Sequence, residues 1–312
     1  MKVLVLGASG FIGLPVAQAL VRAGHSVYGV TRSAAKAKEL AAEEIIPIIA
    51  EASKPETWIA HVSTLDVVID AVGGVEIKTS SNVILQAVSQ AAKAGRPPFA
   101  PKLSYIYSSG TWVHGNNRSE IVSDTTPCTK PMDLVAWRLE QENRVISDPN
   151  LNGIVIRPAL LYGRSGSLLA PLFESASKGK VAWYGVPGGR FSLIHCDDLA
   201  DLYLRAAEKA QLIPGKIFDA ANDLTESADD VLNKLVEVSG AQGPAEWITP
   251  ENPYHHALNC TSLLRPYLAR ALLDWQPRKP GLVDGLATYY AAWQAAADTW
   301  QASKGRDFSE HK

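Results

Sequence analysis

Three glycines near the start of the chain have the spacing of a phosphate-binding turn. Gly7, Gly10 and Gly13 follow an apolar run at 2–6 and precede an apolar segment with helical periodicity. In a strand–turn–helix unit, such glycines allow a tight turn, close approach of a pyrophosphate and close packing of helix on strand. The helix start also directs N–H groups and a positive dipole end at the phosphate. With a second apolar strand at 26–30, the context predicts a dinucleotide site.

The end of that second strand indicates which dinucleotide is bound. NAD sites usually carry Asp or Glu about twenty residues beyond the glycines, but Arg32 occupies this region and no acid occurs between Gly13 and Glu39. A guanidinium can bind a 2′-phosphate that a carboxylate would repel. With Ser33 and Lys36 nearby, the sequence predicts NADP, and NAD is the less favoured cofactor. The alternative is a solvated arginine that binds nothing.

The pattern of elements predicts an α/β fold: a Rossmann-type, doubly wound parallel sheet with a smaller C-terminal substrate lobe. We expect strands at 2–6, 26–30, 45–49, 66–71, 103–107, 153–157 and 217–222, and helices at 81–95, 134–146, 168–178, 227–239 and 282–300. The NAD(P)-binding part is assigned to 1–165, with 192–222 returning to it, and the lobe to 166–191 and 223–312.

Composition limits the classes of partner. The chain has 312 residues, is 46% hydrophobic and has a formal net charge of −2, which favours neither nucleic acid nor an anionic membrane. Its apolar runs are shorter than the roughly 18 residues that span a bilayer, and Met1 leads directly into a strand, so we expect no signal peptide. The three dispersed cysteines predict neither a disulfide framework nor a metal site. We therefore expect a cytoplasmic monomer or homodimer that acts on a small molecule.

Six segments together resemble the extended short-chain dehydrogenase/reductase superfamily, in its NAD-dependent epimerase/dehydratase branch. They are GASGFIG (7–13), NVILQA (82–87), YIYSSGTWVHG (105–115), IVIRPALLYG (154–163), FSLIHCDDLA (191–200) and LLDWQP (272–277). The resemblance and the glycine turn together imply that the cofactor is bound by Gly7, Ser9, Gly10, Phe11, Ile12, Gly13, Thr31, Arg32, Ser33, Lys36, Ala71, Val72, Gly73, Ser108, Arg138 and Pro158.

The chain departs from this family at the catalytic pair, a Tyr with a Lys four residues later. The Lys lowers the phenol's pKa of about 10, so that the Tyr can transfer a proton while hydride moves. No Tyr here is followed by Lys at that spacing. Aligned on Glu142, the helix places Arg138 at the Lys position and Leu134 at the Tyr position. The usual acid/base is therefore missing.

Four residues remain as candidates for catalysis: Ser109, Thr111, His114 and Arg138. The two hydroxyls could bind a substrate oxygen, and His114 is the best proton carrier by its ordinary pKa. A loop histidine that only makes a hydrogen bond is the alternative. Near His195, the acids of CDD are interpreted as helix caps and not as metal ligands.

We therefore expect an NADP(H)-dependent oxidoreductase or epimerase of a small molecule, and the frequent tryptophans of the C-terminal part favour an apolar or aromatic one. The alternative is that these tryptophans only fill the core of the lobe. The alternative is a non-catalytic NADP-binding redox sensor or scaffold protein. The missing Tyr–Lys pair favours that alternative, and the complete lobe favours the enzyme.

Overall fold

The computed structural model describes residues 1–74, 76–97, 99–165 and 167–307, with 298–307 described by their backbone alone. Its helices are α1 (Gly13–Arg22), α2 (Ala34–Ala42), α3 (Ile77–Gly95), α4 (Arg138–Ile146), α5 (Ala170–Ser177), α6 (Cys196–Glu208), α7 (Ala228–Ser239), α8 (Pro253–Leu258), α9 (Leu268–Leu273) and α10 (Leu282–Asp307). Short 3₁₀ helices lie at Pro55–Thr57, Ile59–Thr64, Thr111–His114, Asp133–Val135 and Ala210–Leu212.

The strands include the seven expected ones and several short additions. They are β1 (Lys2–Leu6), β2 (Ser26–Thr31), β3 (Ile46–Ile49), β4 (Val67–Asp70), β5 (Leu103–Ser108), β6 (Asn117–Val122), β7 (Leu151–Pro158), β8 (Leu160–Tyr162), β9 (Ala182–Tyr184), β10 (Arg190–Phe191), β11 (Leu193–His195), β12 (Ile217–Ala220), β13 (Glu226–Ser227), β14 (Glu246–Ile248) and β15 (Ser262–Leu264).

Seven strands form one parallel sheet in the order β12-β7-β5-β4-β1-β2-β3. The order changes direction beside β1, so a crevice forms at the carboxyl ends of β1 and β4, where α/β sheets bind ligands. The fold is therefore the predicted Rossmann-type α/β fold. The glycine turn lies at this crevice.

Alternating side chains of the strands supply both faces of the sheet. In β1, Val3 and Val5 lie in the apolar layer that contains residues of α1 and α6, whereas Leu4 and Leu6 lie in the layer that contains residues of α3. All four are 0% exposed. Helices cover both faces, which is why these strands are near-continuous apolar runs in the sequence.

A third apolar cluster lies outside the sheet. It joins β8, α5, β9, α7 and α10 through buried residues such as Phe173, Trp183, Leu232 and Tyr290. This cluster supports the C-terminal lobe, whose boundaries stay a prediction.

The helix expected at 134–146 is shorter than predicted. A 3₁₀ turn at Asp133–Val135 comes first, and α4 begins only at Arg138. Apolar periodicity does not distinguish a 3₁₀ turn from the first turn of an α-helix, which explains the difference. Within the described residues, every helix is too short or too polar to cross a lipid bilayer.

Candidate functional site

The three glycines of the turn are required for different reasons. Gly7 has φ +76°, and a Cβ there would lie 2.7 Å from the carbonyl oxygen of Ala71. At Gly13 a Cβ would lie 2.1 Å from the carbonyl oxygen of Gly7, so only glycine allows α1 to start this close to the turn. At Gly10 the only neighbour within 4 Å in the described structure is that same oxygen, at 3.1 Å. Gly10 therefore faces open space.

The start of α1 is electrostatically suited to an anion. Its N-cap residue Ile12 supplies no side-chain hydrogen bond, and the first turn carries no acidic side chain. Phe11 is half-buried, and Ile12 packs against the apolar layer beneath the turn. The positive end of the helix is thus left without a neutralising group from α1 itself, as in phosphate-binding turns.

At the end of β2, hydroxyl groups connect the glycine turn to the next helix. Ser9 Oγ and Thr31 Oγ1 are 2.9 Å apart, and the backbone N–H of Ser33 donates to Thr31 Oγ1 at 3.5 Å. Ser33 also caps α2 by accepting from the N–H of Lys36 at 3.3 Å. These bonds fix the backbone on both sides of Arg32.

Arg32 is exposed and makes no hydrogen bond or ion pair within the described chain. Lys36 pairs with Glu39 at 2.7 Å. Glu51, the acid whose pKa Arg32 helps to lower, is itself paired with Lys54 at 2.8 Å, and Lys54 is the main cause of that lowering. The guanidinium is therefore free to bind an anion.

Asp70 is the last residue of β4. It directly precedes Ala71, Val72 and Gly73, which are expected to contact the cofactor. Its carboxylate accepts from the phenol of Tyr105 at 2.8 Å and from the N–H of Val72 at 3.1 Å. Burial raises the pKa of Asp70 to about 6, although these bonds and the charge of Arg138 oppose the rise. Sequence reasoning missed this residue; an acid at the end of an apolar strand was the available signal.

Arg138 and Ser108 meet at the end of β5. Arg138 Nη1 donates to the Ser108 carbonyl oxygen at 3.0 Å and to the Tyr107 phenol at 2.8 Å. The hydroxyl of Ser108 donates to the carbonyl oxygen of Asp70 at 2.6 Å and lies 2.5 Å from the phenol oxygen of Tyr203. Burial raises the pKa of Tyr107 to about 12, and the Arg138 charge only partly opposes this.

Behind Ser109 runs a buried chain of charges, here called the ion chain: Glu142, Arg157, Asp219 and His114. Ser109 donates to Glu142, whose carboxylate also accepts from Arg157 Nε at 3.0 Å and Nη2 at 2.6 Å.

The ion chain continues at the other end of Arg157. Arg157 Nη1 is 3.7 Å from Asp219 Oδ1, which is an ion-pair distance but not a hydrogen bond. The other carboxylate oxygen, Asp219 Oδ2, is 2.8 Å from His114 Nε2. The structure therefore joins two of the four catalytic candidates, Ser109 and His114, through one network. The side chain of His114 is 1% exposed and lies within this network.

Thr111 lies apart from the ion chain, at a narrow notch beyond the ends of β5 and β7. The notch is lined by Thr111, Trp112, Leu160, Phe191, Ser192, Leu258, Cys260 and Ser262. Ser262 Oγ is buried and has no hydrogen-bond partner among the described residues. Pro158 ends β7 beside it, and its carbonyl oxygen lies 3.8 Å from where a Cβ on Gly110 would stand.

The cap of α6 differs from the expectation. His195, and not an aspartate, is the N-cap residue, and its Nδ1 accepts from the N–H of Asp197 at 3.1 Å. His195, Cys196 and Asp197 bring ligand-type atoms within 4.8 Å of one another. However, Arg164 and Lys279 pair with Asp197 at 2.6 and 3.2 Å. Two cations at this distance disfavour a metal ion.

The comparisons with known proteins agree with this fold and turn. The pattern of the NAD dependent epimerase/dehydratase family matches residues 3–221, and the chain belongs to this family. It is 24% identical to the 2-alkyl-3-oxoalkanoate reductase of Stenotrophomonas maltophilia, over 84% of this chain and 83% of that one. It is also 24% identical to the UDP-glucose 4-epimerase of Mycolicibacterium smegmatis, over 92% and 96%.

A solved structure shows the same fold at lower identity. The dTDP-glucose 4,6-dehydratase of Bacillus anthracis, in complex with NAD, superposes with a TM-score of 0.78 at 14% identity and covers 97% of this chain and 99% of that one.

Proposed function

We propose that this protein is an NADP(H)-dependent oxidoreductase or epimerase of a small, apolar or aromatic molecule. The observation that carries the proposal is Arg32, exposed and unpaired in the described chain at the end of β2, next to the glycine turn. A bound nicotinamide cofactor would supply hydride donor and acceptor chemistry. The chain's own residues bind and orient it.

The residues present fit the cofactor. Two observations support this fit: Gly10 is exposed at the positive end of α1, where a pyrophosphate would bind, and Arg32 at the end of β2 is an exposed cation suited to an adenosine 2′-phosphate. The charge of Arg32 helps to lower the pKa of Glu51, so this carboxylate could repel a phosphate bound at Arg32. Because Glu51 is paired with Lys54, that repulsion is reduced. Arg138, anchored to Ser108, would hold the nicotinamide ribose or a substrate oxygen.

The preference for an apolar or aromatic substrate rests on the tryptophans of the C-terminal part, where five of the eight lie at or beyond Trp183. The notch beside Thr111 has a volume of only about 10 Å³, enough for about one water molecule, so we do not assign it as the substrate pocket.

A non-catalytic NADP-binding sensor or scaffold is the second candidate. The observation that favours it is that two of the four catalytic candidates are engaged, Ser109 with Glu142 and His114 with Asp219. The phenol of Tyr107, which contacts Arg138, has a pKa of about 12 and so remains protonated. A cytoplasmic location, a monomeric or homodimeric state and the absence of nucleic-acid partners stay predictions from composition.

Titration calorimetry with NADPH and NADH tests the cofactor. We expect NADPH to bind ten- to a hundred-fold more tightly, because a partly shielded guanidinium–phosphate contact contributes roughly 1.5–3 kcal/mol. Arg32→Ala should remove most of this preference, whereas the control Lys38→Ala, an exposed lysine of α2 outside the predicted cofactor site, should keep it. Equal affinities in the wild-type protein would overturn the NADP assignment.

A second assay separates the enzyme from the sensor. NADPH oxidation is followed with a panel of aromatic and aliphatic ketones and aldehydes. Turnover of an aromatic carbonyl supports the enzyme. Tight NADPH binding without turnover of any panel member supports the sensor.

A further inference from the structure

Cys128 forms the outer end of a second arrangement of reactive groups, away from the glycine turn. Its sulfur lies 3.6 Å from Nδ1 of His114, and Nε2 of the same ring lies 2.8 Å from Oδ2 of Asp219. The three side chains therefore stand in the order thiol, imidazole, carboxylate. This is the order in which a nucleophilic thiol is activated: a base beside it and an orienting acid behind the base.

Access to the three side chains is unequal. The side chains of His114 and Asp219 are 1% and 0% exposed, whereas Cys128 is half-buried between the exposed residues Pro127 and Thr129. A small reagent can reach the sulfur but not the imidazole. The other two cysteines, Cys196 and Cys260, are buried.

The surrounding charges favour a positively charged imidazole. Burial alone would lower the pKa of His114, but hydrogen bonds to Asp219 and Cys128 raise it to about 9. The other charged groups packed here are Arg157, 3.7 Å from Asp219, and Asp124, whose carboxylate is occupied by three backbone N–H groups. With Nε2–H donated to Asp219, the remaining Nδ1–H is directed at the sulfur.

We propose that Cys128 is a reactive thiolate and a site of reversible oxidation by peroxide-type oxidants. An imidazolium N–H directed at a sulfur stabilises the thiolate, which is the form that reacts. The sulfur attacks one oxygen of hydrogen peroxide, an S–O bond forms, the O–O bond breaks and hydroxide leaves. The sulfur loses two electrons and becomes a sulfenic acid, which a thiol reductant converts back. This inference does not depend on the cofactor or on turnover.

The pH profile of alkylation tests the thiolate in the wild-type protein. Iodoacetamide labelling of each cysteine is followed by peptide mass spectrometry between pH 6 and 8. An ordinary thiol with a pKa near 8.5 loses on the order of 50- to 100-fold in rate over this interval, because its thiolate fraction falls. We expect the Cys128 rate to fall by clearly less than that of an ordinary thiol over this interval, because the imidazole N–H is directed at its sulfur. A profile as steep as that of an ordinary thiol would overturn the proposal.

Two variants test the role of the ring. His114→Gln should restore the steep profile at Cys128, and His25→Gln, a histidine near the end of α1, should leave it flat. If His114→Gln unfolds the chain, Cys196 and Cys260 will label as well, and the wild-type profile then decides alone. A folded His114→Gln variant with a flat profile would overturn the role of His114.

Oxidation is measured on the same protein. After brief treatment with hydrogen peroxide, dimedone should add to Cys128 and not to Cys196 or Cys260, and dithiothreitol given before dimedone should prevent the addition. Absence of the adduct on Cys128, at a peroxide dose that labels a control sulfenic-acid-forming protein, would overturn the redox part of the proposal.

Discussion

Arg138 donates a hydrogen bond of 2.8 Å from Nη1 to the phenol oxygen of Tyr107. A phenol and a cation thus meet here, as they do in the Tyr–Lys pair of the family, but the phenol comes from strand β5 and is 1% exposed. With a pKa of about 12, Tyr107 remains protonated at neutral pH. The contact therefore anchors Arg138, and the assignment of Leu134 to the position of the family's Tyr stays a prediction.

Restoring the family's pair tests this interpretation. Leu134 is 38% exposed, so Leu134→Tyr should be tolerated without the overpacking cost of about 1–3 kcal/mol expected in a core. Combined with Arg138→Lys, it should weaken but not abolish cofactor binding and should increase NADPH-dependent carbonyl reduction.

The matched control for that variant is Leu134→Phe with Arg138→Lys, which adds the same ring without the hydroxyl. Thermal melts accompany the assay. A large loss of stability in both double variants would show that Leu134 is packed and that the helix alignment is wrong.

The glycine turn should separate binding from folding. Gly10→Val should abolish binding of NADPH and NADH, because its side chain would occupy the open space reserved for the pyrophosphate. The variant should still fold, because the one atom of the described structure within 4 Å of the added Cβ is the Gly7 carbonyl oxygen, at 3.1 Å, so the turn must shift by only a few tenths of an ångström. Near-normal NADPH affinity in this variant would mean that the turn is only structural.

Gly13→Ala should act differently, on the fold itself. The new Cβ would lie 2.1 Å from a backbone oxygen, so the turn and α1 must separate, at a cost of about 1–3 kcal/mol or more. Gly73→Ala is the control, because nothing in the described structure lies within 4 Å of its Cβ. Urea unfolding of the two variants should show a large loss only for Gly13→Ala; equal stabilities would contradict the close approach of helix and turn.

Two glutamates on α4 should differ widely in their contribution to stability. Glu142 is 1% exposed and pairs with Arg157, so Glu142→Gln should lower the free energy of unfolding by about 3–5 kcal/mol. Glu140 pairs with Arg144 on the surface, and Glu140→Gln should cost no more than about 0.5 kcal/mol. Similar losses in both variants would show that the buried pair is not formed in solution.

Stability should fall in acid because of His195. Burial lowers the pKa of this ring to about 4, and the charges of Lys279 and Arg164 add to that effect. The folded state therefore favours the neutral ring. Its contribution to stability is complete above the unfolded pKa of about 6.5 and is lost as the pH falls through 4.

The variant His195→Asn checks this, since asparagine also caps helices. It should flatten the decline in unfolding free energy between pH 6.5 and 4, whereas His256→Asn, at an exposed position, should not. An unchanged slope in His195→Asn would assign the acid sensitivity to other groups.

Local patterns predicted the parts of the site that are close in sequence. The glycine turn needs only seven consecutive residues, and Arg32 follows one strand later, so both were identified from spacing. The ion chain could not be predicted in this way, because His114 and Asp219 are 105 residues apart and neither lies in a charged pattern. The His195 cap was missed because histidine is not a usual N-cap residue.

Asp219 belongs to β12, which the chain reaches only after the first segment assigned to the lobe (166–191), yet this edge strand completes the ion chain behind Ser109. Exchange of segments between relatives is therefore constrained. A chimera that takes residues 1–165 from this protein and the remainder from a homologue without an acid at the position of Asp219 would leave His114 and one edge of Arg157 buried without a counter-charge. Recombination in this family should succeed only when both crossover products keep these residues together.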